Sequence, residues 1–228
     1  MSAVATASSR VSAMADGLAG SSILKIAGDV RALREAGGEV CDLTVGDFKP
    51  SEFPIPASLL AGIEDALRKG ETNYPPSSGM PVLRAAVRAF YAEWLGLDYP
   101  VESILIAGGA RPALYATYRA LIDPGDVVVY PVPSWNNDAY SHMVEATIRA
   151  VPTEACDGFM PTRDSLAEAI RGARMLVLNS PLNPTGTAFT EELLGEICDL
   201  VLEENARRSD DRPLFLLYDQ VYWMLTFG

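Results

Sequence analysis

A chain of 228 residues with 49% hydrophobic content has enough apolar mass for one large domain or two small ones. Its 30 acidic residues against 18 basic ones give a formal net charge of −12. With no long basic run, that balance disfavours nucleic acid or an anionic membrane surface as partner and favours a small molecule.

The segment through about Ala15 is small and polar and is expected to be a mobile arm. "SSILKIAGDVRALREAGGEV" has apolar residues at helical spacing and stops at Gly37-Gly38, as a helix with a glycine cap does. "CDLTVGDFKP" reads as a short strand ending in a glycine loop. "PASLLAGIEDALRKGETNY" and "GMPVLRAAVRAFYAEWLGL" are two amphipathic helices, the second opened by Pro81.

From there short apolar runs alternate with helical patterns. The order is strand "SILIAGG", helix "RPALYATYRAL", strand "VVVYPVPSW", strand "TIRAVPT" and helix "TRDSLAEAIRG". Strand "RMLVLNS", helix "TEELLGEICDLVLEENARR" and strand "PLFLLYD" complete it. Strands separated by helices of this length indicate an α/β fold, a mostly parallel sheet covered on both faces in three layers. The stretch "ENARRSDD" reads as an extended surface loop.

Cys41, Cys156 and Cys198 are odd in number and widely spaced. That pattern points away from a disulfide framework or a zinc site and toward buried thiols; no metal is expected. No apolar run reaches the roughly 18 residues of a membrane helix, and the N-terminus lacks the apolar segment of a secretory signal. A cytoplasmic location is expected.

In open parallel sheets, ligands gather beyond the carboxyl ends of the strands, and the polar punctuation of this sequence falls there. Gly108-Gly109-Ala110 lies between a strand and a helix, where free first-turn amides and the helix dipole can receive a phosphate. A close-packed turn is the plainer reading. Trp135 at a strand end can stack on a flat heterocycle, or be a core tryptophan. Asn183, pinned by Pro184, can aim its amide at an anionic oxygen, or sit in a plain loop.

Asp219 ends the apolar run Leu214 to Tyr218 and needs a cationic or hydrogen-bonding partner there. A protonated ring nitrogen is one such partner; a helix N-cap or an ion pair is another. Tyr222, three residues on, reaches the same side if a turn begins at Asp219. Phosphate, stacking ring, ring oxygen and ring nitrogen together describe pyridoxal 5'-phosphate. His142, the single histidine, reads as a surface or packing residue.

With "LTVGDF", "NYPPSSGMPVLRAAV", "AGGARPALYATYRALIDPGDVVVYPVPSW", "LNSPLNPTG" and "YDQVYW" in this order, the chain resembles the N-terminal half of a class I/II aminotransferase. That is the fold type I pyridoxal-phosphate family. The resemblance implies catalytic roles for Asp219, Tyr222 and Asn183. Asp219 pairs with the pyridine NH, while Asn183 and Tyr222 hold the cofactor's 3-oxygen. It further implies that Gly109, Ala110 and Arg111 line the phosphate site and that Trp135 stacks on the ring. Tyr74 reaches the phosphate of a neighbouring subunit, and Gly46, Trp135 and Asn183 meet the substrate.

The implied organisation is an arm and the start of a small domain over residues 1–50, then a large cofactor-binding domain over residues 51–228, incomplete at its C-terminus. The implied partners are an amino acid and a 2-oxo acid, with a homodimer in the full-length protein. Arg111-Pro112 departs from the serine or lysine usual near the phosphate. The Schiff-base lysine of the family lies on a later segment than Gly228; Lys25, Lys49 and Lys69 match no such context. The 228 residues alone are therefore expected to be inactive. A lyase using the same ring, or a non-catalytic sensing module on this fold, remains open at this point.

Overall fold

The computed structural model describes residues 10–20, 22–42, 44, 46, 48–209 and 211–225. In chain order the helices and strands are α1 (Ala13–Asp16), α2 (Ser22–Glu35), α3 (Ala57–Arg68), α4 (Pro81–Leu95), α5 (Ala110–Leu121), β1 (Val127–Val132), α6 (Asn137–Met143), β2 (Thr147–Pro152), α7 (Arg163–Ala169), β3 (Met175–Asn179), α8 (Glu191–Ala206) and β4 (Phe215–Asp219). They form two compact units. One is Ala19–Ala107; the other joins the described residues of Met1–Leu18 to those of Gly108–Gly228.

The second unit carries a four-stranded parallel sheet in the order β2-β1-β3-β4. Because successive strand side chains point to opposite faces, neighbours in β1 part company. Val128 and Tyr130 pack with Met175 and Val177 against Tyr118, Ile122, Tyr140 and Val144 of the α5–α6 side. Val129, Leu176 and Leu178 pack on the other face against Leu166, Ile170, Ile197, Leu200 and Val201 of α7 and α8. The result is the expected three layers, with each crossover helix burying one stripe.

Side-chain caps set several boundaries. Thr162 and Ser165 form a reciprocal capping box at the start of α7, and Thr190 accepts from the Leu193 amide to open α8. Pro81 occupies the first turn of α4, where its missing N–H costs nothing. On α1, the Met14 carbonyl accepts from His142 Nε2 at 2.7 Å. A β-carbon at Gly17 would come within 3.0 Å of the same ring, so His142 is a packing residue that tethers α1 to α6.

Three expectations are corrected. Ile104–Ala107 is extended but unpaired, not a strand: Ile106 N donates to Ser78 O at 3.0 Å. The Arg84 guanidinium is hydrogen-bonded to the carbonyls of Ile104 and Val101 and to Ser78 Oγ. Among the described residues of the Ala19–Ala107 unit no neighbouring strand offers this segment a ladder, so its backbone groups find side-chain and loop partners instead. Gly79 completes that arrangement: its φ is +100°, and a β-carbon there would strike Ile106 at 2.5 Å.

The second correction concerns "CDLTVGDFKP". Its described residues form no strand, because Asp42 Oδ1 captures both the amide (3.0 Å) and the hydroxyl (2.6 Å) of Thr44 in a local turn. Those two hydrogen bonds also hold the Asp42 carboxyl below its usual range. Leu43, Val45 and Asp47 lie outside the described residues.

Third, all three cysteines are exposed. Cys198 illustrates the reason: α8 buries Ile197, Leu200, Val201 and Glu204, a stripe at helical spacing that Cys198 falls beside.

"ENARRSDD" also differs from its reading as an open loop. Its first three residues end α8, Arg207 caps it, and Arg208 is folded inward. Arg208 pairs with Glu204 at 3.0 Å, both side chains nearly buried at 13% and 10% exposure. Arg208 also donates to the carbonyls of Ala173 and Arg212. Asp210 lies outside the described residues.

Candidate functional site

The strand order places a switch point between β1 and β3. The chain leaves β1 through α6 to β2 on one side and returns through α7 to β3 on the other. Crevices outside the carboxyl ends at such a point are where open α/β sheets bind ligands. A cavity of about 10 Å³ lies there, lined in part by Ser134, Asn137, Val177 and Asn179. Two groups of the sequence-predicted residues flank these strand ends.

The first group follows β3 and β4. Asn183 Nδ2 donates to the Tyr222 hydroxyl at 3.2 Å. The turn that brings Tyr222 there is fixed by Trp223 N donating to Gln220 O and Leu225 N to Tyr222 O. Asp219, half-buried at the end of β4, accepts from the Val221 amide through Oδ1 at 3.1 Å. Among the described residues no hydrogen bond reaches its Oδ2. A carboxylate oxygen left open at a strand end is what a protonated heterocycle requires.

The second group joins the start of α5, which precedes β1, to the turn that follows β1. Gly109 stands at φ +122° as the N-cap of α5, a conformation only glycine adopts freely. The amides of Ala110 and Arg111 then begin a 12-residue helix without partners in its own ladder. Arg111 and Trp135 meet through a residue not singled out in the sequence. With its amide oriented to satisfy both donors, Asn136 accepts from Trp135 Nε1 at 3.0 Å and from Arg111 Nη2 at 2.9 Å. Asn136 sits at φ +58°, a left-handed conformation in which asparagine is enriched.

Behind this turn runs a buried chain. The Tyr118 hydroxyl donates to Asn137 Oδ1 at 3.0 Å, and Asn137 Nδ2 donates to Ser134 Oγ at 2.7 Å.

Asn179 was also missed as a candidate. Its only sequence signal is a polar residue closing an apolar strand. Gly46 and Tyr74 belong to the Ala19–Ala107 unit, where both are exposed. Lys25, Lys49 and Lys69 lie in that unit too; Lys49 pairs with Glu52 and Lys69 with Asp65 on the surface. Among the described residues, no group of three or more histidine, cysteine or acidic side chains could hold a metal ion, and no helix is long and apolar enough to cross a membrane.

The fold corresponds to a known class. The family model "Aminotransferase class I and II" matches residues 38–222, and the chain belongs to that family. Among its relatives, aspartate aminotransferase of Pyrococcus horikoshii is 32% identical over 204 residues, covering 87% of this chain and 52% of the relative. A probable aspartate/prephenate aminotransferase of Thermus aquaticus is 31% identical over 199 residues, covering 86% and 49%. The crystal structure of the Rhizobium meliloti aspartate aminotransferase superposes with a TM-score of 0.86 at 29% identity, covering 96% of this chain and 53% of that one. The chain spans about half the length of the curated relatives it matches.

Proposed function

We propose that the chain is the N-terminal part of a pyridoxal-phosphate-dependent aminotransferase that moves an amino group between an amino acid and a 2-oxo acid. The observation that carries this is the placement of Asp219 at the end of β4, with an open carboxylate oxygen, in the same turn as the Asn183–Tyr222 pair. The chemistry of the donor set suits the cofactor. The amides at the start of α5 and Arg111 suit a phosphate, Trp135 a ring face, Asn183 and Tyr222 a phenolate oxygen, and Asp219 a pyridinium.

Bound there, the cofactor supplies a ring that takes up the electron pair released at the substrate α-carbon. The chain's own residues prepare that ring. Asp219 keeps a proton on the ring nitrogen, because a carboxylate close to a pyridinium favours its charged form. Asn183 and Tyr222 would donate to the 3-oxygen and orient the ring. Trp135 covers a face and excludes water.

The amino-acid and 2-oxo acid substrates, a cytoplasmic location, a homodimer and the role of Tyr74 toward a partner's phosphate come with this reading. Gly46 is read as lying beside the substrate carboxylate. The division into residues 1–50 and a cofactor domain from 51 onward also belongs to it. No lysine of the chain is given a part. Relatives named aspartate aminotransferases make aspartate the first amino donor to assay.

The decisive experiment uses the full-length protein. Borohydride reduction followed by mass spectrometry is expected to leave a pyridoxyl adduct on a lysine outside these 228 residues. Incubation with aspartate and a second 2-oxo acid is expected to give oxaloacetate and the new amino acid. Ammonia release without amino transfer would identify a lyase instead, and absence of the adduct would remove the cofactor reading.

A further inference from the structure

We infer that Asn179 is a positioning residue that sets the spacing between Asp219 and Asn183. It closes β3 and stands in register opposite Asp219 of β4. Its side-chain Nδ2 donates to the Asp219 carbonyl at 3.0 Å, and its Oδ1 accepts from the Asn183 amide at 2.9 Å. One primary amide thus ties the main chains of two residues that lie 36 positions apart in the sequence, 219 − 183.

With the Asn183–Tyr222 hydrogen bond and the turn from Asp219 to Tyr222, this makes a closed circuit. It runs from Asp219 through Asn179 and Asn183 to Tyr222 and back. Without Asn179, the Asn183 loop is joined to the Asp219 turn by the Ser180 amide on the Asp219 carbonyl and by the single Asn183–Tyr222 bond.

Chemistry restricts the position. The bridge needs a donor and an acceptor on one short, planar group, which asparagine provides. Aspartate keeps the acceptor but loses the donor, glutamine adds a methylene, and alanine removes both. Positioning to within a fraction of an ångström is what holds binding groups in productive geometry. A carbonyl and an amide at the two ends of one side chain are well suited to transmit it.

This inference rests on the cofactor reading only in its binding arm, so its test has two arms. In the full-length protein without cofactor, Asn179→Ala is expected to speed hydrogen exchange at the Asn183 amide by roughly tenfold. The Gly186 amide, bonded within the turn to Leu182 O, should be unchanged. Asn179→Asp should leave Asn183 close to wild type. Equal Asn183 exchange in Asn179→Ala and wild type overturns the inference.

In the second arm the probe is 4'-deoxypyridoxine 5'-phosphate, which lacks the aldehyde and so needs no lysine. Both variants should bind it about tenfold more weakly than wild type. In Asn179→Ala the bound ring should lose its proton at a lower pH, as read from its ultraviolet band, because Asp219 is no longer held in place. A merely structural asparagine would leave the affinity of Asn179→Asp unchanged, and that result also overturns the inference. Should wild type fail to bind the probe, the cofactor reading falls, while the exchange arm still decides the role of Asn179. Should Asn179→Ala fail to fold, Asn179→Asp decides through its affinity for the probe.

Discussion

Asn183 Nδ2 donates to the Tyr222 hydroxyl at 3.2 Å, joining two loops whose residues are 39 positions apart. In the unliganded protein this bond pre-orients both groups toward one point, which lowers the ordering cost of binding an oxygen there. Tyr222→Phe keeps the ring and removes only the hydroxyl. We expect the phosphorylated pyridoxine analogue to bind about fivefold more weakly, the value of one ordinary hydrogen bond near 1 kcal/mol. Urea unfolding should be almost unchanged. Unaltered affinity would detach Tyr222 from the site.

For Asp219 the expected effect lies in turnover, not in occupancy. In the full-length protein, Asp219→Asn preserves size and shape but removes the charge that stabilises a protonated ring nitrogen. Cofactor content should stay within about twofold of wild type, while kcat falls at least ~100-fold, the signature of an interaction that matters to the transition state. Absorbance of the bound cofactor and single-turnover kinetics measure the two separately. Near wild-type turnover would remove Asp219 from its role.

The residues that show themselves in the sequence are those whose local context is peculiar. Asp219 stands out because five apolar residues lead into a charge, and Asn183 because Pro184, Thr185 and Gly186 follow it. Asn136 and Asn179 do not, since their meaning lies in partners placed by the sheet: Arg111 for one, Asp219 for the other. The same distinction explains the fold. Strands β1 to β4 and their crossover helices are legible from apolar runs and caps. Ile104–Ala107 has an apolar strand pattern, yet a strand exists only where a neighbour accepts its hydrogen bonds. Cys198 was misplaced because burial on α8 follows a helical stripe, not residue type.

Arg208 and Glu204 provide a test of how the amino end of β3 is held. Their nearly buried pair, with Gly172 N donating to Glu204 Oε1 at 3.3 Å and Arg208 donating to Ala173 O at 2.7 Å, fastens the end of α8 to the entry of β3. Removing one partner strands the other's charge, so Arg208→Ala should lower unfolding free energy by about 3 kcal/mol. Replacing both residues, as Arg208→Met with Glu204→Leu, should cost less than about 1 kcal/mol, because no unpaired charge remains. Urea denaturation of the three proteins checks this. A single variant as stable as wild type would show that the pair is solvated and ornamental.

The α5–α6 face predicts an alkaline limit to stability. Burial among the residues packed on β1 pushes the Tyr130 phenol up to about 12, with the Asp138 charge acting in the same direction. Burial moves Tyr118 further upward. Below pH about 10, the ordinary value for an unfolded tyrosine, both phenols are protonated in the folded and unfolded chains alike, and their contribution to folding is constant. Above it the unfolded chain releases protons that the folded one retains, so stability falls as pH rises toward the folded value. Tyr130→Phe removes one titrating group and should flatten the decline of the urea midpoint between pH 10 and about 12. Tyr118→Phe should flatten it too, but at a cost visible at neutral pH, because Asn137 Oδ1 loses its donor. Parallel curves for wild type and Tyr130→Phe would mean that the phenol ionises as readily in the folded protein as in the unfolded chain.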